Sequence, residues 1–159
     1  MQSALNEQVN AEMYSAYIYL SMSAYFTDQN LDGAAGWMRL QFQEEMAHAM
    51  KIYDFVLERG GKVVLGAIEK PPEQWNSPLA AFEAAFEHEQ KVTAMIDDLV
   101  NLANSEKDHA SANFLQWFVD EQVEEEASVD QIVKKLKMVE SAPGGLYMID
   151  KELGQRRAN

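Results

Sequence analysis

The chain contains no cysteine. That single absence removes disulfides, thiolate metal sites and cysteine nucleophiles together, and by itself says nothing about redox compartment. Glycine and proline are also scarce, at 8 and 4 of 159 residues, while 47% of the chain is hydrophobic. Such a composition excludes a globally disordered chain and suits one domain large enough to bury a real core. Basic residues are outnumbered, 13 against 26 acidic, for a formal charge of -13. A nucleic-acid partner is therefore not expected, because neutralising phosphates needs a basic face. Carboxylates in surplus suit cations, or simply a soluble acidic surface. No apolar run reaches the length of a membrane span; the most apolar early stretch, AYIYLSMSAYF, is short and carries hydroxyls. With no basic leader segment or cleavage site to suggest export, the expected location is cytoplasmic. Fixed-period repeats and low-complexity tracts are absent as well.

What remains is helical periodicity, cut by clear stop signals. The pattern predicts long helices over residues 3–30, 34–59, 78–105 and 109–139, with a short amphipathic one over 146–153. Gly60-Gly61 stop the second segment, and Ser77-Pro78 open the third with an N-cap followed by proline at the first helical position. Helices of roughly 26 residues are ~40 Å long, the dimensions of a four-helix bundle. The first-to-second and third-to-fourth joints are short, so those pairs are antiparallel. The stretch 60–77 contains GG and KPP and reads as non-helical. Extended, it reaches ~55 Å, enough to cross the bundle and leave the second and third helices parallel. The expected fold is all-α, a four-helix bundle with a long crossover and a short fifth helix.

Each predicted helix carries an apolar stripe at steps of three and four, and an acid interrupts each stripe. The stripes are Leu5, Val9, Glu12, Ala16, Tyr19; then Met38, Phe42, Glu45, Ala49, Ile52, Phe55. The third runs Phe82, Ala85, Phe86, Glu89, Thr93, Ile96, Leu99, and the fourth Leu115, Phe118, Gln122, Glu125, Val129, Ile132, Leu136. Glu45 and Glu89 lie equally far into parallel helices, and Glu89 and Glu125 sit symmetrically about the third-to-fourth turn. Glu12 matches less well, by ~10 Å with the boundaries above. Four buried carboxylates at one level cannot all stay ionised in a dry core, and a divalent cation resolves the conflict. Glu12, Glu45, His48, Glu89 and Glu125 form a mostly hard-oxygen set with one imidazole, suited to iron or manganese, with zinc a competitor. Taken singly, each piece has a plainer explanation: an E-x-x-H pair on a helix is usually solvated, and VEEEA reads as an exposed acidic face. His88 and His109 read as ordinary surface residues. The coincidence of four interruptions is what points to metal.

The segments NAEMYSAYIYLSMSAYF, EEMAHAM, FEHEQ and FLQWFVDEQVEEEAS resemble the non-haem ferritins of bacteria and archaea, over essentially the whole chain. Ferritin-like di-iron proteins are the standard instance of a carboxylate site inside a helical bundle, so the ligand roles that follow come from the family and not from spacing. The resemblance implies a ferritin-like bundle, with Glu12, Glu45 and His48 on a first iron. Glu45 would bridge to a second iron held by Glu89 and Glu125 with Gln122 nearby. Tyr19 would stand beside the pair, and Glu44, Glu121 and Glu124 would form an outer site. Gln122 and Glu125 stand where the symmetric di-iron pattern has a second E-x-x-H, which implies a more weakly held second iron, in transit rather than resident.

The implied function is iron storage with ferroxidase activity: Fe(II) and O2 are the substrates, and ferric mineral collects in a hollow shell of twenty-four subunits. One alternative is a haem-containing bacterioferritin, with Met46 as the candidate ligand position; haem is the disfavoured reading because the second E-x-x-H is missing. Another is a di-iron redox enzyme without storage, although the absence of cysteine excludes the rubrerythrin type with its cysteine-ligated iron. A metal-free interaction bundle is the third.

Overall fold

The computed structural model describes residues 1–142 and 144–157. It contains α1 (Gln2–Asp28), α2 (Asp32–Glu58), α3 (Pro78–Ser105), α4 (His109–Val139) and the short α5 (Gly145–Leu153). The four long helices form the expected bundle. Helix α3 opens as its sequence demands: Ser77 accepts a hydrogen bond from Ala80 N at 3.1 Å and Pro78 follows in the first turn. Asp108 caps α4 in the same way, accepting from Ser111 N at 3.1 Å.

The α1–α2 turn is tighter than the sequence suggested. Asn30 takes a left-handed φ of 56°, and Leu31 N closes onto Phe26 O at 3.0 Å, so the chain reverses in three residues and α2 begins at Asp32 instead of Ala34. With α1 ending at Asp28 and α2 starting at Asp32, Glu12 lies within about one helical turn of the level of Glu45, ~5 Å, which a glutamate side chain spans. The apparent mismatch of Glu12 was an error in the turn.

The crossover, residues 60–77, is extended and stitched along α1 by a polar ladder. Gln2 Oε1 accepts from Lys62 N at 3.2 Å, Asn6 brackets Lys62 O and Val64 N at 3.0 Å each, and Asn10 Nδ2 donates to Ala67 O at 3.1 Å. Further on, Ser21 Oγ donates to Pro72 O at 2.5 Å, and the Trp75 ring packs on Tyr25 at 5.3 Å between centroids. The crossover therefore advances in the same direction as α1 and delivers α3 parallel to α2. At the far end α5 packs back onto the start of α2, where Asp150 Oδ1 accepts from Ala34 N at 2.8 Å. Among the described residues no helix is long and apolar enough to cross a membrane.

The core divides along the bundle axis. One apolar half gathers Met22, Phe26, Met38, Phe82, Val129 and Leu136 with α5; the other gathers Leu5, Val9, Ile52, Ile96, Leu115 and Phe118. The interrupting acids lie between these halves.

Candidate metal centre

Each long helix contributes to that middle layer because its acid occupies a stripe position that packing turns inward. Glu12 from α1, Glu45 and His48 from α2, Glu89 from α3 and Glu125 from α4 are 1, 2, 5, 1 and 6% exposed. Ionisable groups are almost never this buried without partners. Some partners are present. Gln8 Nε2 donates to Glu12 Oε1 at 2.8 Å, one helical turn away. Across the bundle, Gln41 Nε2 donates to Glu125 Oε2 at 2.7 Å. The Tyr19 hydroxyl donates to Glu89 Oε1, and Gln122 Nε2 donates to Glu89 Oε2 at 3.2 Å.

These bonds do not satisfy the layer. Glu12 Oε2 is fully buried and has no hydrogen-bond partner. His48 Nδ1 lies 3.6 Å from Glu45 Oε2, too far for a good hydrogen bond but a spacing a shared cation would bridge. Glu12, Glu45 and His48 each offer a ligand atom within 4.8 Å of the others, and His48, Glu121 and Glu125 form a second such group. The His48 ring is fixed by edge contacts with Trp117 and Phe118, at 5.4 and 6.0 Å between centroids.

Burial sets the electrostatics. It pushes the Glu12 carboxyl up from 4.5 to about 7, against the hydrogen bond from Gln8. Burial also raises Glu125 to about 8, with Glu89 adding repulsion. Glu45 is driven well above the carboxylate range by burial and then by the charges of Glu89, Glu12 and Glu125. Glu89 is raised by burial, with Tyr19 and Gln122 opposing. A proton retained on Glu45 would supply the partner that Glu12 Oε2 lacks while both acids are ionised. His48 moves the other way, down to about 4, because burial disfavours the imidazolium. It is a neutral ligand at any pH near 7. A dry layer of acids that keep their protons because ionising there is costly, plus a neutral imidazole, fits a divalent cation: the ion replaces the protons and removes the repulsion.

The expected residues distribute as follows. Glu12, Glu45 and His48 come together, and Glu125 stands beside His48 and Glu121. Glu89 is in the buried layer, but both its oxygens are engaged by Tyr19 and Gln122. In the outer set, Glu124 is exposed and Glu44 is paired with Arg156 at 2.6 Å; Glu121 is half-buried, its carboxyl raised by burial and then by Glu124 and Glu44. His109 is exposed as expected, whereas His88 is not an ordinary surface residue. Its Nε2 lies 2.8 Å from Ser15 Oγ and its ring packs against Tyr14, and burial lowers it to about 4. Sequence reasoning missed it because α3 presents His88 sideways to α1, off the inward stripe. It also missed Gln8 and Gln41, buried amides that orient the acids. Their signal was present: Gln8 stands four residues before Glu12, and Gln41 four before Glu45.

The ferritin-like domain profile matches residues 2–139. A bacterial non-heme ferritin of Bacteroides fragilis is 47% identical over 156 residues, covering 98% of this chain and 97% of the relative. The chain belongs to the ferritin family. This ferritin is also 57% identical to an open-pore ferritin from the hyperthermophilic archaeon Archaeoglobus fulgidus, with a TM-score of 0.98 over 99% of this chain and 97% of that one. A non-heme ferritin of Escherichia coli is 38% identical over 153 residues, 96% of this chain and 93% of the relative. The function of a ferritin of this type is iron storage, and the haem-containing alternative is not favoured.

Proposed function

We propose that this ferritin stores iron by oxidising Fe(II) with O2 in the buried acid layer and passing Fe(III) to a mineral inside a closed shell of its own copies. The observation that carries the reading is the orphaned, fully buried Glu12 Oε2, on a carboxylate that comes together with Glu45 and His48 in a layer between the two apolar halves of the core. Fe(II) is the substrate. One ion is received by Glu12, Glu45 and His48; a second is received by Glu89 and Glu125, with Glu45 shared between them. Each Fe(II) gives one electron to O2, and the pairing lets two reductants meet one oxidant at a fixed spacing. The protein supplies ligand geometry, a dry surrounding and release of the carboxyl protons as iron enters. Tyr19 and Gln122 orient Glu89, and Gln41 orients Glu125.

Gln122 is a poorer ligand than the histidine of a symmetric site, so the second iron is held less tightly and moves on. The acidic outer residues Glu44, Glu121 and Glu124 lead away from the layer. The ferritin-like bundle acts as one unit, and its partners are further copies of itself, in a hollow assembly of twenty-four. Among the described residues, exposed Tyr147 and Met148 on α5 and Val64 and Leu65 on the crossover are apolar surface available to such contacts.

The test is iron loading followed by sizing. Fe(II) added in air to the purified protein gives soluble ferric colour far beyond two irons per chain, travelling with a particle near half a megadalton. Loading that stops at two irons per chain would favour a di-iron redox enzyme instead. No uptake at all would leave only a structural bundle.

A further inference from the structure

Beyond α5 the chain turns back onto α2, and Arg156 lies half-buried against it. Its guanidinium makes three contacts. Nη1 donates to Gln41 Oε1, Nη2 donates to Glu44 Oε2 at 2.6 Å, and the guanidinium lies over the Trp37 ring at 4.6 Å from its centroid. Gln41 is fully buried, and its amide is used at both ends: the oxygen accepts from Arg156 while the nitrogen donates to Glu125 at 2.7 Å. An amide flipped end for end would present oxygen to the Glu125 carboxylate. Arg156 therefore selects the orientation in which Gln41 donates toward the layer.

The same side chain occupies Glu44, one of the acids of the outer set. A guanidinium on a carboxylate oxygen is a resident cation, and a metal ion arriving at Glu44 must displace it. The planar fork of arginine is what lets one group hold Gln41 and Glu44 together; a lysine ammonium offers a point charge without that geometry.

The geometry points to Arg156 as a positioning residue that couples the two ends of the iron route. Resting on Glu44, it competes with an outer divalent ion and, through Gln41, aligns Glu125 for the second buried iron. An ion bound at Glu44 expels the guanidinium, frees the Gln41 amide and loosens Glu125. Outer occupancy and tight inner retention thus oppose each other, which favours onward movement of iron. This rests on the metal-site reading above and adds to it a role for a segment outside the bundle.

Co2+, which does not turn over in air, is the probe. The intact assembly is titrated by calorimetry, with Glu44→Gln marking the outer site and Glu125→Gln marking the inner one. Arg156→Ala tightens the Glu44-dependent site by about tenfold and weakens the Glu125-dependent site by about tenfold, the scale of losing one charge-assisted hydrogen bond at each. Arg156→Lys keeps the outer site near its original affinity and still weakens the inner one. A purely structural clamp would move both sites the same way, or neither, and either result in Arg156→Ala overturns the coupling. Thermal melts of both variants confirm that the fold is retained. If the unmodified protein binds no Co2+, the buried-site reading itself falls, an outcome distinct from binding that ignores Arg156.

Discussion

Tyr19 and Glu89 meet across the interface of α1 and α3, the phenol donating to the carboxylate in a spot with almost no water access. Burial, followed by the charges of Glu89 and Glu45, holds the Tyr19 phenol well above its ordinary value, so at neutral pH it remains a donor. The bond steadies the ionised form of Glu89 against desolvation. Removing it with Tyr19→Phe leaves the apolar packing intact and takes away one of the two groups that lower Glu89. Divalent-ion binding at the Glu89–Glu125 side weakens by about tenfold, while the Glu12–His48 side is unchanged; calorimetry with Co2+ reads both. Equal weakening of the two sides would refute a local role.

Glu45 stands at the centre of the layer and is the residue shared between the proposed ions. Glu45→Ala slows Fe(II) oxidation by about 100-fold or more, measured as the initial rise of ferric absorbance in air. The apo protein gains stability at pH 8 from the same substitution, because a buried carboxyl that the unfolded chain ionises freely at that pH has gone. A rate like that of the unmodified protein would reject the site.

The pH dependence of the metal-free protein has a definite sign. Glu12 and Glu125, raised to about 7 and about 8, bind protons in the folded chain that the unfolded chain has already lost above 4.5. Folding therefore meets no penalty from them below 4.5 and a growing one as pH rises through their folded values. His48 and His88, lowered to about 4 from 6.5, act oppositely: their penalty appears as pH falls below 6.5 and is absent above it. Above pH 6.5 only the carboxylates act, so the melting temperature of the apo protein declines from pH 6.5 to 8.5. A bound divalent cation removes most of that slope, since it holds the carboxylates ionised without repulsion. A flat apo profile over this window would show that the acids are not desolvated together.

Binding also releases protons. At pH 6 a divalent cation meets Glu12, Glu45 and Glu125 carrying protons and a His48 that is already neutral, so protons leave from the carboxyls and none from the imidazole. Repeating the titration in buffers of different ionisation enthalpy counts them, and the count falls as the pH approaches 8.5. Release that increases with pH would contradict the assignment.

Helix α5 is held by close backbone approach. A methyl group placed on Gly33 would lie 1.8 Å from the Asp150 carbonyl oxygen, and Asp150 also caps the nearby Ala34 amide. Gly33→Ala therefore pushes α5 away from α2 at a cost of about 1–3 kcal/mol. Hydrogen exchange at Ile149 and Leu153 accelerates while the middle of the bundle stays protected. Unchanged protection there would mean that α5 adjusts without undocking.

Much of this architecture was readable in one dimension. The 3.6-residue period marks a buried stripe on each helix, Ser77-Pro78 and Gly60-Gly61 mark helix ends, and the acid in each stripe marks the level of the site. These are local properties, written by the geometry of a single helix. The level of Glu12 was misjudged because a left-handed Asn30 shortens a turn, and asparagine does this without the glycine that signals it.

The rest belongs to three dimensions. Period tells which face of a helix is buried but not which neighbour it meets, so nothing local pairs Ser15 with His88 or Tyr19 with Glu89. Arg156 reaches Gln41 across 115 residues, and only the docking of α5 at the start of α2 makes that contact. The sequence by itself determined that acids would be carried into an apolar interior. Tertiary packing decided which amide, hydroxyl or cation each acid meets there, because side-chain reach is a few ångströms and the fold chooses what lies within it.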